Sequence, residues 1–297
     1  MSPGSAPSRA ALAESVGRLH IVAIAALGTF TFGWLFTGHH PWLLAGVTAL
    51  DWFLVNLLNR VVDLAEDEQN AIVGTAFVRA HRRAILALGV ATLLASFVAV
   101  HLVAPEITLL RLGAHALGVA YNWPLYPGAR RIKQLYFWKN TASATGFMLT
   151  VFGYPIAYAT RHGGLAPTIH ASTILFAGIY FFTFELSYEV IYDLRDAPGD
   201  AREGVRTYPV VHGERGASKI IDALLAISVA SLAIGYALGA VPWRLFIMIV
   251  APAIQLALYK RALRRGMTSA DCVRLTWLGA GLLFVYHLWI LAGLPGA

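Results

Sequence analysis

The chain has very few charged residues. Asp, Glu, Lys and Arg make up only 13% of its 297 residues, whereas a soluble domain carries roughly 25%. Hydrophobic residues make up 58% and the mean hydropathy is +0.62. These proportions exclude an ordinary soluble domain and predict an integral membrane protein that sits in the lipid bilayer.

Cysteine is nearly absent, and so are long polar stretches. The single cysteine, Cys272, excludes an intrachain disulfide and any metal site built from several cysteines. The longest polar intervals are about 25 residues, which leaves no room for a soluble domain. Residues 1–19 lack the apolar core and the small-residue cleavage site of a signal peptide. We therefore predict a flexible N-terminal tail over residues 1–19 and a single membrane domain over residues 20–297.

Nine apolar stretches follow the tail. Most of them approach the ~20 residues that cross a ~30 Å hydrocarbon core, and the alternating ten-residue segments of a transmembrane barrel are not found. The sequence therefore predicts an all-α, polytopic membrane helical bundle of about nine transmembrane helices around a central cavity. The stretches cover residues 20–37, 40–58, 84–104, 107–120, 141–159, 169–192, 219–239, 242–259 and 271–293.

The basic residues predict the orientation of the bundle. Of the 23 Lys and Arg residues, all but Arg111, Arg161 and Arg244 lie in or beside the tail and the loops after the even-numbered stretches. Lys and Arg stay on the cytoplasmic side, so we expect a multi-pass protein of the cell membrane with a cytoplasmic N-terminus and a C-terminus on the opposite side. The net charge of +7 suits anionic headgroups or an anionic substrate, and nothing indicates nucleic-acid binding.

Two acidic clusters stand out at the predicted cytoplasmic ends of the second and sixth stretches. Within each cluster the spacing puts the side chains on one face of a helix. Carboxylates beside a bilayer are costly unless something binds them, and Mg²⁺ prefers oxygen ligands completed by substrate phosphates. The alternative is a juxtamembrane salt-bridge pattern. The first cluster comprises Asn56, Asn59, Asp63, Asp67 and Asn70, and the second comprises Glu189, Asp193, Asp196 and Asp200.

Three motifs together carry a family resemblance. The first cluster reads NxxxDxxxD from Asn59, and the second reads DxxDxxxD from Asp193 and is followed by GVRTYPVVHG from Gly204. Between them, YNWPLYPGARRIK runs from Tyr121 to Lys133. This combination resembles the UbiA superfamily of intramembrane prenyltransferases. The resemblance implies a nine-span bundle, two Asp-rich motifs that bind Mg²⁺ and an isoprenyl diphosphate, and transfer of the prenyl group to an acceptor.

The resemblance also implies roles for individual residues. Basic side chains in matched motifs would clamp the diphosphate, and aromatic side chains beside them would shield the allylic cation; ordinary anchoring and packing are the alternatives. The metal ligands would be Asn59, Asp63 and Asp67 for one ion and Asp193, Asp196 and Asp200 for the second, with Glu189 one turn earlier. The clamp residues would be Lys133 and Arg206, with Arg130, Arg131 and Lys139 as weaker candidates, and the shielding residues would be Tyr121 and Tyr188.

Several departures from the family pattern leave the acceptor open. Arg60 stands where many members have the first acid of NDxxDxxxD, the KxRP run after the first motif is absent, and Pro124 stands alone where a double proline is frequent. We expect transfer to an aromatic or lipid-like acceptor. One alternative is a membrane terpene cyclase, in which the prenyl chain captures its own cation. A transporter is a non-enzymatic alternative.

Overall fold

The computed structural model describes residues 8–69, 72–125, 131–202 and 204–293. All regular structure in these ranges is helical, which confirms the all-α prediction. Apolar runs of about 20 residues form the long helices because in lipid every backbone polar group must be bonded within the segment. The helices are α1 Arg9–Gly17, α2 Leu19–Thr37, α3 Trp42–Val62, α4 Leu64–Gln69, α5 Thr75–Ala80, α6 Arg82–Val103, α7 Thr108–Asn122, α8 Trp138–Phe147, α9 Tyr154–Ala159, α10 Ala171–Arg202, α11 Tyr208–Ala237, α12 Trp243–Phe246, α13 Val250–Arg264 and α14 Ser269–Leu291.

Seven segments in the described ranges are long and apolar enough to cross a membrane. They correspond to α2, α3, α6, α10, α11, α14 and the run Trp243–Arg264. The fourth predicted span is the 15-residue α7, and the fifth is interrupted between α8 and α9. The chain is thus a multi-pass helical membrane protein, and the count of nine spans stays a prediction.

The core lies where α2 packs against α3, α14 and the segment after α8. The rings of Phe32, Phe152 and Phe181 meet there, with centroids 4.4 to 5.2 Å apart. In contrast, only 6% of the most apolar window of α6 is buried. Such an apolar, outward-facing helix is what a lipid environment permits.

The fifth crossing changes its backbone geometry in the middle. Residues Met148–Gly153 form a π-helix, and α9 begins just before Pro155. Proline has no N–H to donate and its ring displaces the preceding turn, which is a physical reason for the irregularity. The wider turn brings Thr150 to the central cavity, where its hydroxyl accepts a hydrogen bond from Trp52 Nε1 at 3.0 Å.

Part of the predicted tail is helical. The N-cap Ser8 accepts a hydrogen bond from the backbone of Ala11 at 3.1 Å and starts α1. Ser15 on this helix donates to the carbonyl of Val73 at 2.7 Å, and α1 packs on α2 and α3. These contacts join the helix Arg9–Gly17 to the bundle, within the segment predicted to be a flexible tail.

Candidate active site

A cavity of about 920 Å³ opens at the acid-bearing end of the bundle. Side chains of α1, α2, α3, α7, α8, α10 and α14 line it. It brings the two acidic clusters, 130 positions apart in the sequence, into one space. Of the predicted site residues, Asn59, Asp63, Asp67, Tyr121, Lys133, Tyr188, Glu189, Asp193, Asp196 and Asp200 line the cavity.

Asp63 is the centre of the first cluster. It caps the C-terminus of α3, where its backbone N–H bonds the carbonyl of Asn59 at 2.9 Å, and its side chain is buried. Its Oδ1 accepts from Arg131 at 2.9 Å and lies 2.7 Å from Lys133 Nζ. A short 3₁₀ turn holds both cations in place, since the side chain of Gln134 accepts a hydrogen bond from the backbone of Arg131. Two positive charges therefore neutralise this carboxylate.

Arg60 occupies the position where many family members have the first acid of the motif, and its guanidinium is bonded to Asp67, the last acid of the motif. Its side chain is 1% exposed, and it donates from Nη1 to Asp67 at 2.5 Å and from Nη2 to the Val73 carbonyl at 2.8 Å. The side-chain amide of Asn59 lies between Asp63 and the Arg18 guanidinium, and the amide orientation that satisfies both places its nitrogen 2.8 Å from Asp63 and its oxygen 3.1 Å from Arg18. In this arrangement Arg60 is bonded to Asp67, whereas Asp63 is bonded to Arg131 and Lys133.

Asp193 is the corresponding centre of the second cluster. It is 2% exposed and lies on α10, and its oxygens accept from Lys139 Nζ and Asn140 Nδ2, both at 2.8 Å. One turn earlier, Glu189 accepts from the hydroxyl of Ser143 at 2.7 Å. The bare acidic stripe suggested a bound metal as the simplest counter-charge. In the structure that charge comes from Lys139 on α8.

The outer part of the second cluster is held less firmly. Asp196 is bonded to its neighbour Arg195 at 2.5 and 2.7 Å and its side chain is 42% exposed. Asp200 lies 3.4 Å from Lys139. Helix α10 continues through Pro198 and Gly199 to Arg202. A proline removes one backbone hydrogen bond, which has not ended this helix.

The two predicted shielding tyrosines line the cavity, whereas the predicted clamp residue Arg206 does not. Tyr121, on the last turn of α7, and Tyr188, on α10, both line the cavity. Tyr188 donates to the Leu275 carbonyl at 3.2 Å, and its hydroxyl would lie 3.0 Å from a Cβ at Gly279, so a glycine at that position leaves room for it. Arg206 is exposed outside the cavity lining, 6.0 Å above the ring of Tyr136. The structure thus gives its predicted diphosphate contact no support.

The remaining basic candidates and several unassigned polar residues complete the site. Arg131 and Lys139, predicted as weaker clamp candidates, line the cavity, and Arg130 and Asn70 lie outside the described residues. Asn140 and Ser143 lack a motif of their own, so only the fold shows that they face α10. Glu185 had a usable signal, because it continues the acidic stripe of α10 one turn before Glu189.

The donor chemistry of the cavity fits Mg²⁺. In the described residues no three His, Cys, Asp or Glu side chains form a ready-made metal site. Mg²⁺ does not require one, since it is usually held by one or two carboxylates and completed by waters and substrate phosphates. Asp63 and Asp193 offer buried hard oxygen ligands to the same cavity, and the basic residues now bonded to them suit phosphate oxygens.

The chain is similar to known proteins over most of its length. The model of the UbiA prenyltransferase family matches residues 19–288. Digeranylgeranylglyceryl phosphate synthase from Natronomonas pharaonis is 31% identical over 105 residues, which are 33% of this chain and 37% of that protein. The enzyme of the same name from Sulfolobus acidocaldarius is 31% identical over 115 residues, 39% of this chain and 38% of that protein. The matches thus span less than two-fifths of these relatives.

A solved structure supports the fold. A UbiA homologue from Archaeoglobus fulgidus, bound to GPP and Mg²⁺, superposes with a TM-score of 0.69. The match covers 95% of this chain and 99% of that one at 15% sequence identity. At this identity the likeness establishes the architecture, and the roles of individual side chains rest on the geometry above.

Proposed function

The chain belongs to the UbiA prenyltransferase family, and we propose that it transfers an isoprenyl group from an isoprenyl diphosphate to an aromatic or lipid-like acceptor in a Mg²⁺-dependent reaction. The observation that carries this proposal is the cavity shared by the two acidic clusters and the cations bonded to them. The same cavity is large enough for a small ligand.

The two buried aspartates are the proposed metal ligands. Asp63 and Asp193 hold Mg²⁺, while Asp67 stays paired to Arg60. When bound, the metal neutralises charge that develops on the diphosphate as the allylic C–O bond breaks. Lys133 and Lys139 then turn from the carboxylates to the phosphate oxygens, for which a charged ammonium is a strong hydrogen-bond donor.

The cavity wall also carries aromatic rings that suit an allylic cation. The rings of Tyr121, Tyr188 and Tyr192 line it. An aromatic face attracts a cation and is a poor nucleophile. Apolar neighbours such as Ile24 and Phe147 on the same wall limit access of water to the cation.

A lipid-like acceptor is the better supported of the two classes. Both curated relatives are named for the synthesis of digeranylgeranylglyceryl phosphate, a glyceryl phosphate with two isoprenoid groups. The homologue with the same fold was solved with GPP and Mg²⁺. We therefore propose a hydroxyl-bearing lipid as the acceptor and place the active site at the cytoplasmic face of the cell membrane, in line with the distribution of Lys and Arg.

The test is a product assay with purified protein in lipid nanodiscs. Radiolabelled isoprenyl diphosphates of several chain lengths are incubated with Mg²⁺ and a panel of lipid alcohols and aromatic acceptors. Released diphosphate and extracted lipid product are measured. Asp63→Asn and Asp193→Asn should each abolish both. Asp222→Asn is the matched control because Asp222 pairs with Lys260 outside the cavity.

The same assay separates the alternatives. A cyclic hydrocarbon or alcohol formed without any acceptor would show a terpene cyclase. Metal-dependent flux across proteoliposomes without diphosphate release would show a transporter. Absence of diphosphate release with every donor and acceptor would refute the proposal.

A further inference from the structure

One carboxyl group on the cavity wall has no partner. Glu185, on α10, is 7% exposed and lines the cavity. Within the described parts of the chain it makes neither a hydrogen bond nor an ion pair. An ionisable group inside a membrane domain is costly and normally pairs with another group, so an unpaired one points to a ligand.

Other buried carboxylates in the described ranges are paired, among them Asp51, Asp63, Asp67 and Asp193. Asp51, also on the cavity wall, accepts from Arg111 at 2.6 and 3.0 Å, from the Tyr154 hydroxyl at 2.9 Å and lies 3.0 Å from His115 Nε2. Its oxygens are therefore fully used by the fold. The carboxyl of Glu185 remains available to a bound molecule.

The position of Glu185 relates it to the donor site. Tyr188, Glu189 and Asp193 follow at three, four and eight residues, so the four side chains line the cavity from one face of α10. Eight residues of helix correspond to about 12 Å, which puts Glu185 that far below Asp193 towards the membrane interior. The reacting carbon of a donor whose diphosphate is bound at the level of Asp193 would lie between these two levels.

On these grounds we propose that Glu185 binds the hydroxyl group of the acceptor and takes the proton that this hydroxyl loses. The inference rests on the proposed prenyl transfer. An oxygen that bonds to the reacting carbon approaches from the side opposite the departing diphosphate, which is the side of Glu185. A carboxylate within reach of that hydroxyl acts as a general base.

The step balances in atoms and charge. The C–O bond between the prenyl carbon and the diphosphate breaks, and its electron pair leaves with the diphosphate. A lone pair of the acceptor oxygen forms the new C–O bond. The O–H bond of the acceptor breaks, its electrons stay on oxygen, and the proton moves to the carboxylate of Glu185.

The experiment compares Glu185→Gln and Glu185→Ala with wild type in nanodiscs. The donor is radiolabelled geranyl diphosphate with Mg²⁺, and the acceptor is a glyceryl phosphate with one alkyl ether chain. Loss of a general base should lower transfer by about 10²- to 10⁴-fold, while the Kd for the donor changes by less than about threefold. Glu106→Gln is the control because it makes the same chemical change outside the cavity.

Two further readouts distinguish this role from a structural one. Added formate should restore at least about tenfold transfer to Glu185→Ala, which leaves space for it, and should not restore Glu185→Gln. The Tm of Glu185→Gln should equal or exceed that of wild type, since the substitution removes an unpaired buried acid. A structural role predicts a lower Tm instead.

The outcomes separate the two proposals. Normal transfer by Glu185→Gln, or loss of donor binding in that variant, would refute the role of Glu185 alone. Failure of formate to restore Glu185→Ala would refute proton transfer to this residue. A wild-type protein that releases no diphosphate would refute the proposed function and the role of Glu185 with it.

Discussion

The buried ion pair between Asp51 and Arg111 should be the most sensitive stabilising contact of the bundle. Arg111 is 0% exposed and joins α7 to α3 by three hydrogen bonds to Asp51 of 2.6 to 3.0 Å, and it also donates to Ser96 on α6 at 2.8 Å. Tyr154 adds a bond from α9. The network therefore ties four helices together beside the cavity.

Substitution of Asp51 by Asn keeps the shape of the side chain and removes its charge. Arg111 is then left buried without a counter-charge, and breaking a buried pair from one side costs about 3 to 5 kcal/mol. At 2 to 4 °C per kcal/mol, this predicts that Tm falls by at least about 6 °C. The double variant Asp51→Asn/Arg111→Gln should recover much of the loss because no buried charge remains.

The assay is thermal unfolding of the purified variants in one detergent, followed by intrinsic fluorescence. Glu68→Gln is the control because the Glu68–Arg79 pair is exposed, with 41% and 56% of the side chains accessible. Exposed pairs contribute less than about 1 kcal/mol. An Asp51→Asn variant no less stable than Glu68→Gln would refute the reasoning, and so would a double variant less stable than Asp51→Asn.

Three further predictions concern the donor site. Lys139→Gln should weaken binding of an isoprenyl diphosphate by about 10- to 100-fold, measured by equilibrium binding, because a charge-assisted hydrogen bond is lost; an unchanged Kd would contradict the proposed exchange of partners. Arg206→Gln should change transfer by less than about threefold, since Arg206 is exposed outside the cavity, and a tenfold loss would restore it to the site. The donor at 100 times its Kd should stabilise the protein by about 2.7 kcal/mol, and removal of Mg²⁺ with EDTA should lower the resulting rise in Tm.

The sequence was sufficient for the all-α membrane fold and for most of the cavity wall. Hydropathy identifies long helices because lipid leaves the backbone no other way to satisfy its hydrogen bonds. Asp63 and Asp193 could be predicted to share a cavity wall with their neighbouring acids because acids that repeat at the helical period lie on one face of a helix. Hydropathy and the helical spacing of acids can both be read from a short stretch of sequence.

Partners from distant helices could not be predicted in this way. Arg111 looked like an exception to the distribution of basic residues, and only the fold brings it to Asp51, 60 positions earlier. Likewise, Asn140 reaches Asp193 across 53 positions. Arg206 shows the converse, since a residue inside a matched motif lies outside the cavity lining. Pairing depends on which helix faces meet, and local spacing does not determine that.

The pairing of the site also predicts that metal and donor bind cooperatively. Lys139 is bonded to Asp193, so a metal that takes Asp193 alone would draw the carboxylate away from Lys139, and a diphosphate that takes Lys139 alone would draw the ammonium away from Asp193. When both are present, Asp193 pairs with the metal and Lys139 with the diphosphate. Coupling of this kind typically amounts to 5- to 150-fold in affinity and must be equal in both directions. Isothermal titration of each ligand with and without the other measures it, and identical Kd values in the two conditions would show that the carboxylates and the ammonium groups do not exchange partners.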